Sequence, residues 1–178
     1  MRIAILGGGR VGSALAATWT ERGHEVTVSQ RDTLAATAEA GDVVVLALPA
    51  RAVADVLAEA GPLDGKVLID ATNNVSGGPG GLEIAALAPT AHYVKAFNTV
   101  FSTFMHDTPP ERPASLVLCG DDEEAKGIAS TLAADLGFEP VDVGGSEATA
   151  LVEALAHLVI GLAYGRGRGP FVYRFERR

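Results

Sequence analysis

The first twelve residues constrain this chain more than any others. Arg2-Ile3-Ala4-Ile5-Leu6 reads as a short apolar strand and runs directly into Gly7-Gly8-Gly9-Arg10-Val11-Gly12, after which an alanine-rich helical pattern begins. A G-x-G-x-x-G turn between a strand and a helix is the arrangement that cradles a dinucleotide pyrophosphate. Gly7 serves the tight turn, Gly9 the close approach of backbone to pyrophosphate, and Gly12 the packing of helix on strand. The free N–H groups and positive end of the helix meet the phosphates.

A chain of 178 residues fits one domain, or one domain with a small appendage. It is long enough to bury about 70% of its extended surface without a disulfide or metal staple. Acidic residues outnumber basic ones 22 to 14, for a net charge of -8, which disfavours nucleic acid as a partner. A few local arginines still suffice for a phosphorylated ligand. Cys119 is the only cysteine, so an intramolecular disulfide is impossible and a reducing, cytoplasmic compartment is expected. We see no signal-peptide pattern and expect no membrane span. The nearest apolar run, Ala148 to Ala163, is interrupted by Glu153 and His157.

Strand-like and helix-like segments alternate along the chain. Strands are expected at Arg2–Leu6, His24–Val28, Val43–Leu48, Lys66–Asp70, Tyr93–Phe97, Ser115–Cys119 and Phe138–Val143. Helices are expected at Val11–Arg22, Thr33–Ala40, Ala50–Ala60, Leu82–Leu87, Glu123–Asp135 and Thr149–Tyr164. This pattern predicts an α/β fold with a single doubly wound, mainly parallel sheet of Rossmann type. Pro140 places the last strand at a sheet edge or makes it a strand start. Residues 1–145 form the nucleotide-binding domain. Residues 146–178 form a C-terminal helix and tail that pack on it and on a partner subunit. In that helix Leu151, Leu155, Leu158 and Leu162 share a side, and Val152, Val159 and Ile160 broaden the stripe, so the sheet, a second subunit or both must cover it. The tail group Phe171-Val172-Tyr173-Phe175 docks across a partner, docks near the site, or frays. Residues Met105 to Pro113 read as an irregular loop.

Ligands of open α/β sheets bind at the carboxyl ends of the strands. The second strand ends at Ser29-Gln30-Arg31, where NAD-selective folds often carry an acid for the ribose 2′-OH. A guanidinium instead offers paired hydrogen bonds to a 2′-phosphate, and Ser29 adds a donor, so the tip favours NADP(H) over NAD(H). The competing reading of Arg31 is a solvated pair with Asp32. Leu48-Pro49-Ala50 lies on the same edge, Pro49 chiefly as a helix starter. Asp70, Thr72 and Asn73 open a glycine-rich loop, where they touch a cofactor or order the loop. Phe97, Val100, Phe101 and Phe104 offer an apolar slot for a planar ring, unless some are core, with Asn98 and Thr99 as hydrogen-bond groups.

Other chemistry is missing. The four histidines are scattered without metal-ligand spacing, and Ser146 lies in no nucleophile elbow. Asp121-Asp122 and Glu123-Glu124 are explained as helix caps. We therefore assign no catalytic side chain and no metal ligand. Hydride transfer between two bound rings fits that absence, because cofactors carry the hard step.

Several segments together resemble the coenzyme F420-dependent NADP oxidoreductase family. They are Ile5 to Gly12, the Ser29-Gln30-Arg31 tip, Val94-Lys95-Ala96-Phe97-Asn98-Thr99, Gly120 to Lys126, and Leu136 to Gly144. The resemblance implies NADP(H) on a Rossmann-type domain, hydride passed to or from the 5-deazaflavin F420, and a homodimer whose C-terminal helix helps form the second pocket. Carried over, Gly7, Gly9, Arg10, Val11 and Gly12 hold the pyrophosphate, and Ser29 and Arg31 take the 2′-phosphate. Leu48 and Pro49 border the adenosine ribose, while Ala96, Asn98 and Thr99 face the nicotinamide. Two departures fall on the deazaflavin side: archaeal members carry His at the place of Asn98, and this chain is shorter around its final helices. They bear on the second substrate. The alternatives are an NADPH-dependent reductase with a flavin, quinone or small imine or carbonyl acceptor, and a non-catalytic NADP(H)-binding regulatory module.

Overall fold

A computed structural model describes residues 1–75, 77–106 and 113–176. Ser76, most of the loop between Met105 and Pro113, and the last two residues of the tail lie outside the described residues. Seven strands form the sheet: β1 (Arg2–Leu6), β2 (Glu25–Val28), β3 (Val43–Leu46), β4 (Val67–Asp70), β5 (His92–Lys95), β6 (Ser115–Gly120) and β7 (Glu139–Asp142). Their order is β2-β1-β3-β4-β5-β6-β7. The first five are mutually parallel, β6 runs antiparallel to β5, and β7 is parallel to β6. The doubly wound reading therefore holds, and β7 with its Pro140 is an edge strand.

Helices α1 (Arg10–Glu21), α2 (Leu34–Ala40), α3 (Val53–Ala60), α4 (Gly81–Leu87) and α5 (Glu123–Asp135) lie between strands, and α6 (Thr149–Ile160) follows the last one. Central strands are apolar on both sides because both sides are covered. Ile3, Ile5, Val43 and Val45 meet Trp19 and Leu132 on one face, whereas Ala4, Leu6, Val44 and Leu46 meet Leu34, Val53 and Leu57 on the other. The Trp19 indole donates to the Leu132 carbonyl at 3.0 Å, so α1 and α5 are tied as well as packed.

Several boundaries differ from the sequence expectation. The third strand stops at Leu46, and the following helix opens with a 3-10 turn at Ala50–Ala52 after Pro49. The fifth strand stops at Lys95 because Phe97 adopts φ 67°, a left-handed conformation that costs an aromatic residue about 1–3 kcal/mol. Its ring is fixed in the core, 5.5 Å from Trp19 and edge-on to it.

The last helix ends in a π-helical turn at Gly161–Gly165. Ser146–Gly165 reaches membrane-span length with a mean hydropathy of 1.5. Here Val152, Ala156, Val159 and Ala163 are the buried stripe, and Leu151 and Leu158 are 73% and 58% exposed. Leu151 and Leu158 thus face away from the sheet, while Leu155 packs against Val117 and Cys119 of β6. Cys119 is a buried hydrophobe beside Thr149, and burial pushes its thiol up.

Candidate functional site

The glycine turn is built as its spacing demands. Gly7 has φ 119°, and a Cβ there would overlap the Ala47 carbonyl oxygen. A Cβ at Gly12 would overlap the Gly7 carbonyl oxygen, so this glycine lets α1 lie on the turn. A Cβ at Gly9 would meet no atom within 4 Å, leaving open space above the backbone. Helix α1 has no side-chain cap and no acid in its first turn. Its first intrahelical bond is from the Ser13 N–H to the Gly9 carbonyl at 2.9 Å. The N–H groups of Arg10, Val11 and Gly12 therefore precede the helical ladder and suit an anion.

A cavity lies on each side of this turn. The first, of about 240 Å³, is lined by Gly7, Ser29, Arg31, Leu34, Leu48 and Val56. Ser29 is anchored there, its backbone N–H on the Ile5 carbonyl at 2.9 Å and its hydroxyl 3.4 Å from the Gly7 N–H. Arg31 is exposed and makes no ion pair with Asp32. Pro49 is exposed beside the cavity without lining it.

The second cavity, of about 260 Å³, is lined by Arg10, Val11, Asn98, Thr99, Phe101 and Ile160, among others. The strain at Phe97 turns the chain so that Asn98 and Thr99 reach this edge. The Asn73 side-chain amide donates to the Asn98 carbonyl at 2.9 Å, which fixes the Asn73 oxygen as an acceptor. That oxygen takes the Asn98 amide N–H at 3.2 Å. Asn98 Oδ1 is left buried without a hydrogen-bond partner. An orphaned buried acceptor is costly unless a donor arrives, and a carboxamide N–H fits it. Of the four residues considered for a ring slot, Val100 and Phe101 line the cavity. Phe97 is core and Phe104 packs against the core. Ala96 is fully buried, its N–H on the Asp70 carbonyl at 3.2 Å, and does not line the cavity. Phe101 is stacked edge-on by Tyr164 at 5.7 Å and Phe171 at 6.1 Å, so the end of the last helix and the tail form an aromatic wall.

Beneath the second cavity lies a charged cluster that the strand pattern did not reveal. Lys95 is fully buried and its Nζ reaches Asp70 Oδ2 at 2.8 Å, the Thr72 carbonyl at 2.9 Å and Glu153 Oε1 at 3.2 Å. Tyr93 donates to Asp70 Oδ2 at 2.9 Å, and burial, with the adjacent Asp70 charge second, pushes its hydroxyl far above the ordinary range. Asp70 also accepts from the Thr72 N–H at 2.8 Å, so it orders the loop. A lysine inside an otherwise apolar strand was the available signal, since a buried charge requires partners. The tail holds the other missed group: the Tyr173 hydroxyl donates to Thr99 Oγ1 at 2.7 Å.

No group of three metal-ligating side chains occurs among the described residues. Asp122 caps α5 through the Ala125 N–H at 2.8 Å.

Residues 2–40 and 33–74 match the model of the family described as NADP oxidoreductase coenzyme F420-dependent. A crystal structure assigned as an F420-dependent NADP reductase, from Arthrobacter sp. FB24, superposes with a TM-score of 0.89 at 28% identity, covering 99% of this chain and all of that one. Over residues 2–74 the chain is similar to the coenzyme F420-dependent NADP oxidoreductase family. It is also 34% identical to the F420-dependent NADP reductase of Methanocaldococcus jannaschii over 39% of this chain and 31% of that protein. Rat metalloreductase STEAP3 is 32% identical over 52% of this chain and 20% of that protein. The matched regions thus span less than a third of the length of these curated relatives.

Proposed function

We propose that this protein transfers hydride between NADP(H) and coenzyme F420. The observation that carries this reading is one uncapped glycine turn flanked by two cavities, a mainly apolar one bordered by Ser29 and Arg31 and a mixed one at the orphaned Asn98 Oδ1. Gly7, Gly9, Arg10, Val11 and Gly12 hold the pyrophosphate through backbone N–H groups and the helix end. Ser29 and Arg31 take the 2′-phosphate, and Leu48 and Pro49 border the adenosine ribose. Asn98 Oδ1 accepts from the nicotinamide carboxamide, Thr99 stands beside it, and Ala96 supports them from below. When bound, the two ring cofactors supply the redox chemistry. The chain orients the rings and excludes water. No side chain acts as a nucleophile.

Residues 1–145 bind NADP(H), and residues 146–178 complete the second-ring pocket. The exposed Leu151 and Leu158 row of α6 is the homodimer contact, which removes that apolar surface from water. We place the protein in the cytoplasm, outside any membrane and without nucleic acid. The similarity to a metalloreductase supports a second reading, in which the same pocket takes a flavin.

Stopped-flow absorbance after mixing the protein with NADPH and oxidised F420, with free flavin in parallel, tests both readings. Loss of F420 absorbance matched to NADPH consumption is expected. Transfer to flavin alone selects the second reading. Tight NADPH binding with transfer to neither leaves a non-catalytic binding module.

A further inference from the structure

Building on that reading, we propose that Lys95 is the positioning residue of the ring pocket, setting the spacing between its Asn98 wall and its α6 wall. An ammonium has three N–H donors and no acceptor. Lys95 Nζ finds one acceptor for each, and each acceptor belongs to a different element: Asp70 to β4, the Thr72 carbonyl to the following loop, and Glu153 to α6.

Each acceptor leads to part of the site. Thr72 precedes Asn73, whose amide pair with Asn98 leaves Asn98 Oδ1 unsatisfied. Glu153 lies about two helical turns before Val159 and Ile160, which line the opposite wall. Glu153 Oε1 also accepts from the Gly81 N–H at 3.0 Å, so the start of α4 is held at the same point. A single Nζ thereby fixes the distance between the two walls. Without it, Asp70 and Glu153 are like charges facing each other. Asp70 is fully buried and Glu153 is 18% exposed, so Glu153 has the route to water and α6 gives way.

The test uses Glu153→Ala, Glu153→Gln and Lys95→Met. Two quantities are measured: the side-chain amide resonances of Asn73 and Asn98 in nucleotide-free protein, and calorimetric affinity for NADPH and for 2′,5′-ADP, which lacks the nicotinamide. Glu153→Ala leaves Lys95 paired with Asp70. It is expected to shift both resonances and to weaken NADPH about tenfold while 2′,5′-ADP stays within about twofold. Glu153→Gln still accepts from Lys95 and Gly81 and restores both measurements. Lys95→Met gives the larger change of the same kind, and if it does not fold, the Glu153 pair decides. Unmoved Asn73 and Asn98 resonances in folded Glu153→Ala, equal losses for the two ligands, or no recovery in Glu153→Gln each overturn the proposal. Wild-type protein that binds no NADPH overturns the functional reading instead, and the resonances still judge Lys95.

Discussion

Tyr173 donates its hydroxyl to Thr99 Oγ1 at 2.7 Å, joining the tail to the loop after β5. The contact is reinforced by the Ser115 N–H on the Tyr173 carbonyl and the Phe175 N–H on Ser115 Oγ, each at 2.9 Å. Accepting from Tyr173 leaves the Thr99 hydroxyl proton to be donated elsewhere. Burial pushes the Tyr173 hydroxyl up, so it remains a donor at neutral pH. Tyr173→Phe is expected to lower stability by about 1 kcal/mol and to raise the KM for the acceptor with little effect on NADPH affinity. Thermal melts and steady-state kinetics check this. An unchanged KM would show that the tail only packs.

Arg31 is exposed at the cavity that it shares with Ser29 and Leu48 and has no competing bond to Asp32. Arg31→Ala is expected to weaken NADPH binding by about 1.5–3 kcal/mol, the range of a charge-assisted hydrogen bond, while NADH binding changes little. Calorimetry with the two nucleotides measures the difference directly. Equal losses would remove Arg31 from the 2′-phosphate site.

The parts of the fold set by local chemistry were legible in the sequence. The first strand and α5 fall at their expected residues, and Gly7 and Gly12 perform the steric roles their spacing required. The end of β5 was not legible, because nothing local marks Phe97 for a left-handed backbone; the packing of its ring on Trp19, far away in the chain, holds it there. The outward placement of Leu151 and Leu158 was equally hidden. Periodicity shows that α6 is apolar all round but not which stripe the sheet takes, and the smaller Val152, Ala156, Val159 and Ala163 pack against it. Lys95 and Glu153 come together only when β5 and α6 share a face. Lys95 alone signals a need for a partner, but not which residue supplies it.

Asp121 anchors the start of that same last helix. It accepts from the Ser146 backbone N–H and from the Ser146 hydroxyl, both at 2.7 Å, at the 3-10 turn Ser146–Ala148 that leads into α6. These bonds, the backbone one first, hold its carboxyl below the usual carboxylate range. A carboxyl whose folded value is depressed contributes stability that is fully present above the unfolded value of about 3.9 and is lost as pH falls through the folded value. Asp121→Asn is therefore expected to lower Tm at pH 7. The gap to wild type should narrow as pH falls from about 4 through the depressed folded value, where Asp121 becomes neutral like the asparagine. Melting the two proteins between pH 7 and pH 2 tests the sign. A gap that stays constant across that range would mean that Asp121 acts through shape and not through charge. A narrowing gap would show that α6, which carries Glu153 near its start and the Val159 and Ile160 wall of the second cavity near its end, is secured electrostatically at its first turn.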